Sequence, residues 1–455
     1  MAYPQQTGYA FRHGVRCLVT RAGAVLLDPP HSQKLADLAP AQLQALKTLN
    51  LGPATLAELS AEPDRAVVGG LIDQLIGGGW LAIAVRSDTA HHYSIAPFGP
   101  GTEPASPPPE HAVLSKFAVL HRDSTGLVLE HPLASCDMAI HDHRLLVVLG
   151  DPRALCPEVP EAVAAAFRAD LHRFGFLVAA GSEDADTAEF TDVGWDAPDL
   201  WFHRRSTLGE RIVTWDRFGP TKWAAGRFAQ PPARRDTYPG EPVVLPRPDL
   251  AARRSDDAPL TAVVEDRVST RTFDDTRPLT ADQLGELLYR TARTRRTETV
   301  GPGEQLLSRP YPSAGGVYEL ELYPVVRTVV GVEPGMYHYD SFDHVLRPVA
   351  AADSPAVARL IKPAAATLVG GAEPQVLLVI AARPGRILWT YEQIGYALIL
   401  KDVGALMQTL YLAGTAMGIG VCAQGFGDTA AFTAATGVDE RQECSVGSVV
   451  VGSRR

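Results

Sequence analysis

Four short stretches of this 455-residue sequence carry side chains that could act together on a ligand. The first is Arg267-x-Ser269-x-Arg271. Two guanidinium groups and a hydroxyl at that spacing suit a phosphate, which they can hold through bidentate, charge-assisted hydrogen bonds. The second is Pro312-Ser313-Ala314-Gly315-Gly316, where the missing side chains let backbone N–H groups approach a planar or anionic ligand. The third is Thr390-Tyr391-Glu392 and the fourth Cys422-Ala423-Gln424-Gly425-Phe426, two flanks that could line a site. Basic pairs at helix ends are common, so each stretch alone is weak evidence. Cys422 and Cys444 have no His neighbour and read as packing residues. The five cysteines form no CxxC pair, and no metal site is expected.

The element that must position these groups is a helix from Gly395 to about Met417. Leu398, Ala405, Leu406, Thr409, Leu410, Ala413 and Met417 recur along it at helical spacing. At ~1.5 Å per residue it spans about 33 Å, the diameter of a domain. Lys401, Asp402 and Gln408 interrupt it and argue against a membrane span. Gly418 and Gly420 should end it, because glycine accepts positive φ. Ahead of it, Thr280-x-x-Gln283 is a capping box for a helix with Leu284, Leu287 and Leu288 on one face. TARTRRTETVGPGEQL reads as a polar loop. GMYHYD with HVLRPV reads as a hairpin, and QVLLVIAAR and SVGSVVVGSRR as strands.

The chain is long enough for two or three domains. Residues 1–100 run strand, strand, short helices, then a helix, a glycine turn and a strand, the order of a winged helix-turn-helix. Residues 111–185 repeat that order: Leu127-Val128-Leu129 answers Val25-Leu26-Leu27, and Phe176 answers Trp80. A Pro-rich linker, PFGPGTEPASPPPE, joins the copies. Residues 186–258 read as an aromatic, Arg- and Pro-rich connector, and residues 259–455 as the last domain. Neither copy has a Lys/Arg-rich third helix and the net charge is −10, so no nucleic-acid partner is expected. The modules serve either packing alone or peptide recognition by strand addition. The N-terminus shows no apolar signal segment, so a soluble cytoplasmic protein is expected.

RVSTRTF, RPYPSAGGVYELELY, TYEQIGY…KDVGALMQTLYLAG and GIGVCAQGFGD occur in this order, and the combination resembles the nitroreductase-like flavoproteins. It is most similar to the SagB/McbC-type dehydrogenases, which oxidise azolines in ribosomally made peptides. LSKF…LVLEHPL and DLWFHRRSTLGE also resemble the N-terminal region of SagB-type proteins, so the likeness covers roughly residues 113–455. The resemblance implies an α+β fold: a nitroreductase-like domain with a central helix and an antiparallel or mixed sheet, preceded here by tandem winged-helix-like modules. It implies FMN at a homodimer interface. Arg267, Ser269 and Arg271 would hold its phosphate and ribityl chain, and Pro312, Ser313, Ala314, Gly315 and Gly316 would lie against the ring or its partner-chain edge. Gln408, Gln424, Gly425 and Phe426 complete the implied cofactor set.

The resemblance also implies a Lys-Tyr proton-transfer pair before the central helix. Here the tyrosine is Tyr391 and the lysine position holds Thr390. A phenol with its ordinary pKa of about 10 is a poor base at neutral pH unless a cation lowers that value. Glu392 would push it the other way if close. The leading expectation is an FMN-dependent enzyme that converts thiazoline or oxazoline to thiazole or oxazole in a leader-bearing precursor peptide, alongside a cyclodehydratase. The alternatives are a general NAD(P)H-dependent nitroreductase or flavin reductase, and a non-catalytic scaffold of a peptide-cyclising complex.

Overall fold

The computed structural model describes residues 3–20, 23–88, 90–99, 109–184, 186 and 189–455, with backbone only at 192 and 217. They form two compact units, divided between Trp215 and Asp216. Most of the Pro-rich linker, residues 100–108, lies outside the described residues. No described helix is long and apolar enough to cross a membrane.

The first unit begins with β1 (Gly8–Phe11), β2 (Arg16–Thr20), β3 (Gly23–Asp28), β4 (His31–Ala36) and α1 (Pro40–Leu51). Pro40 sits in the first turn of α1, where its missing N–H costs nothing. Then follow β5 (Ala54–Thr55), α2 (Leu56–Leu59), α3 (Arg65–Gly77), β6 (Leu81–Ser87) and β7 (Ala90–Pro97). The second copy supplies β8 (Ala112–Leu114), β9 (Val119–Arg122), β10 (Leu127–Glu130) and β11 (Cys136–Ile140). It continues with α4 (Leu146–Gly150), α5 (Glu161–Arg173), β12 (Leu177–Ala179), α6 (Phe190–Val193) and α7 (Ala197–Arg205).

The two copies close their long helices with the same hydrogen bonds. Trp80 N–H donates to Leu75 O (2.9 Å) as Phe176 N–H does to Leu171 O (2.8 Å), each after a glycine at φ 70° or 78°. The carbonyls of both aromatics then accept from an upstream strand, from Arg12 and from Ser115. Positive φ before a buried aromatic is what both glycines provide. The copies are fused: β11 pairs with β7 (Met138 opposite Ile95), giving one antiparallel sheet β5-β1-β6-β7-β11-β10-β9. The connector is divided between the units. In the first, Trp201 on α7 donates its indole N–H to Phe117 O (3.0 Å).

The second unit contains β13 (Val243–Val244), α8 (Leu250–Asp256), α9 (Leu260–Asp266), α10 (Ala281–Ala292), β14 (Arg296–Gly301) and β15 (Glu304–Ser308). Next come β16 (Leu320–Val326), β17 (Gly335–Asp340), β18 (Val345–Ala351), α11 (Pro355–Ala366), β19 (Val376–Ala382) and α12 (Pro384–Leu388). The last are α13 (Gly395–Ala416), β20 (Ile419–Gln424), α14 (Thr429–Thr436) and β21 (Cys444–Ser453). Its sheet runs β13-β18-β17-β16-β19-β21-β20, antiparallel throughout, with every residue of β16 and β19 buried. An α+β fold with a long central helix is therefore what the sequence folds into.

α11 and α14 cover one face, where Val357, Leu360 and Phe432 meet Tyr323, Val379 and Val450. α13 lies against β21 so closely that a Cβ at Gly447 would fall 2.9 Å from Met407 Cε. Gly418 (φ 69°) follows the helix end, and the Thr280/Gln283 box caps α10 with bonds of 3.2 and 3.1 Å. One expectation fails. The stretch read as a polar loop is the hairpin β14–β15, with Thr297 opposite Leu307 and a turn through Gly303 (φ 72°). β14 has no buried residue, so it lacks the apolar alternation by which a strand is recognised.

Candidate active site

The Arg267–Arg271 stretch leaves α9 in extended form and runs beside β20, where Thr270 N–H donates to Val421 O (3.0 Å). Tyr411, on α13, organises it. Its hydroxyl lies 2.9 Å from Ser269 Oγ and accepts the Ala423 N–H at 2.8 Å, and the Arg267 guanidinium stands 5.1 Å over its ring. Arg271 is exposed. Among the described residues neither Arg267 nor Arg271 takes part in an ion pair, whereas Arg290 pairs with Asp257 and Arg359 with Asp428; two guanidinium groups without a carboxylate fit an anion.

The second group gathers at the other end of α13. Asp402 accepts the Ala314 N–H on both carboxylate oxygens (3.2 and 3.0 Å) and so ties the Pro312–Gly316 turn to the helix. Ser313 Oγ takes the Tyr318 N–H at 3.0 Å and lies 3.5 Å from Glu319 Oε2. Gly315 has φ 58°, and a Cβ there would sit 2.8 Å from the Tyr391 hydroxyl. Only glycine fits both demands. Pro312 and Gly315 are exposed, so the turn presents its backbone outward.

Tyr391 is buried, and its pKa is raised, first by burial and then by the Asp402 charge. The hydroxyl therefore stays protonated at neutral pH. Glu392, the acid expected to act on it, is exposed and accepts from Thr221 Oγ1 at 3.4 Å. Thr390 is buried, its carbonyl taking the Lys222 N–H at 2.9 Å. Gln424 turns inward, accepting from Thr367 Oγ1 (2.8 Å), which leaves Gly425 and Phe426 as the exposed part of that loop. Gln408 is exposed on α13.

The structure thus brings the implied residues together as two groups, one around Tyr411 and one around Asp402. These residues are about 14 Å apart along the helix axis at ~1.5 Å per residue. Among the described residues no hydrogen bond joins the two groups. Tyr411, Asp402 and Glu319 were not singled out from the sequence as site residues. An acid inside an otherwise apolar helix was the available signal for Asp402.

Residues 264–453 match the nitroreductase family model, and residues 112–211 match that of the cyanobactin oxidase ThcOx. A protein of Methanocaldococcus jannaschii named as a nitroreductase is 31% identical over 148 residues, covering 32% of this chain and 69% of that protein. A structure from Ralstonia eutropha, also named as a nitroreductase, is 24% identical and covers 50% of this chain and 97% of its own, with a TM-score of 0.37. The E. coli microcin synthetase McbBCD complex with truncated pro-MccB17 bound is 20% identical, covering 42% and 72%, with a TM-score of 0.34. Members of the nitroreductase family generally bind flavin.

Proposed function

We propose, for a chain that belongs to the nitroreductase family, that it is an FMN-dependent dehydrogenase oxidising thiazoline or oxazoline rings of a ribosomally made, leader-bearing peptide to thiazole or oxazole. The observation that carries this reading is the presence, in one chain, of a nitroreductase domain and a region matching a cyanobactin oxidase. A general NAD(P)H-dependent reductase has no evident use for that second region.

The residues fit FMN. Arg267 and Arg271, without carboxylate partners among the described residues, would take the phosphate, with Ser269 beside them. The turn through Ala314, Gly315 and Gly316, exposed at Gly315, would meet the ring, where larger side chains would obstruct it. The chemistry supplied by bound FMN is acceptance of two electrons with a hydrogen. Tyr391, kept as a phenol, can take a ring proton only as it passes its own to water, so its role is a relay rather than a free base.

Because the two groups do not meet within one chain, the reading includes a homodimer in which one copy supplies the Arg267 group and its partner the turn. Leu260, Val264, Val268 and Leu400 are exposed apolar residues on and beside α9 and α13 that such an interface would cover. The N-terminal modules are assigned to the peptide or to a cyclodehydratase partner. The test is purification of the full chain, with flavin identified by mass, followed by incubation with an azoline-bearing precursor peptide. NAD(P)H oxidation without any peptide conversion would favour the general reductase instead.

A further inference from the structure

Two carboxyl groups lie beneath the exposed turn with little room for water: Glu319 is fully buried and Asp402 is 6% exposed. They hold neighbouring residues of the same turn, Asp402 through the Ala314 N–H and Glu319 through the Ser313 hydroxyl at 3.5 Å, and two buried carboxylates so placed oppose each other's ionisation. Asp402 receives the Ala314 N–H on both oxygens, which favours its charged form against the burial that raises its pKa. Glu319 Oε1 has no hydrogen-bond acceptor contact of its own among the described residues. A proton there would be donated to Asp402, which completes the bonding of both groups.

We propose that Asp402 and Glu319 are positioning residues for Tyr391 and the Ser313–Gly316 turn, one holding the Ala314 N–H and the other facing the Ser313 hydroxyl. This rests on the proposed function only in taking that turn as the cofactor-facing edge. The charged groups facing the pair are Arg309, which favours an ionised Glu319, and Arg386 on α12, whose guanidinium is committed to the carbonyls of Val317, Pro231 and Gln305. Burial and Asp402 oppose Arg309 and prevail, so Glu319 titrates well above an ordinary glutamate. Asp402 then does two things. It fixes the Ala314–Gly315 backbone against which the Tyr391 hydroxyl rests, and its charge keeps that hydroxyl protonated.

The test is an ultraviolet difference titration of the full chain, with the Tyr391 contribution obtained by subtracting Tyr391→Phe. Asp402→Asn should lower the Tyr391 midpoint, because the charge that helps to raise it is removed. Glu319→Gln, whose amide still donates to Asp402, should leave that midpoint in place. An unchanged midpoint in Asp402→Asn overturns the proposal. Should Asp402→Asn not fold, thermal stability against pH decides. The wild type should lose stability as pH rises from the ordinary glutamate value toward the raised one, because the unfolded chain releases its proton first. Buried Asp170, raised to about 6, adds to the slope below that pH, so Glu319 is read above it: Glu319→Gln should remove the slope between about pH 6 and 8, and a slope there equal to wild type overturns the proposal. Neither readout needs turnover, so failure of the azoline reading would show separately.

Discussion

Each unit buries acid, and the two do so differently. In the first, Asp170 on α5 sits in the apolar core with one oxygen on the Tyr3 hydroxyl (2.6 Å) and the other on that of Tyr93 (2.7 Å). Arginines there are paired as well: Arg144 with Asp142, and Arg205 and Arg211 with Glu130. In the second, Glu319 and Asp402 lie under a turn that opens to solvent, one oxygen is left over, and Arg267 and Arg271 have no acid. A closed polar centre holds a fold together. Unused donors and acceptors beside exposed backbone are what a ligand needs.

That contrast can be broken at several points. The largest expected effect is on the open side. Tyr391→Phe should slow azoline oxidation by ~10²–10⁴-fold while flavin content is kept, read by mass spectrometry of the peptide. On the closed side, burial raises Asp170 to about 6, against about 3.9 for an ordinary aspartate. The folded protein holds that proton longer than the unfolded chain, so stability should fall as pH rises between those values and level off above. The loss amounts to roughly 3 kcal/mol at most. Asp170→Asn should flatten the curve in a thermal melt followed across pH.

Smaller effects sharpen the same comparison. Arg267→Ala or Arg271→Ala should each weaken flavin retention by roughly ten- to a hundredfold, measured by fluorescence of released flavin. Full retention in the double variant would remove the phosphate assignment. Thr390→Ala should change the rate least, by less than about tenfold, since its hydroxyl can only orient Tyr391 or a water.

The central helix, the Thr280 cap and the strands of the second unit were legible because apolar period, capping residues and glycine act locally. The matching helix ends at Trp80 and Phe176 were legible because each aromatic follows a glycine turn. The hairpin β14–β15 was hidden by its exposure. The carboxyl pair was hidden by distance along the chain: Glu319 belongs to the strand after the turn and Asp402 to the helix, and only tertiary packing brings them together. Glu392, adjacent in sequence to Tyr391, drew attention that belonged to Asp402. The split of the implied cofactor residues into two groups along α13 likewise had no trace in the order of the motifs.

The most direct test of the account is to give the purified full chain its leader-bearing azoline peptide and weigh the product. Oxidation to the azole should remove two hydrogens per ring, in protein that carries FMN, and should fail in Tyr391→Phe with its flavin intact. A flavin-loaded chain that leaves the azoline mass unchanged, in the presence of oxygen and an added cyclodehydratase, would contradict the account.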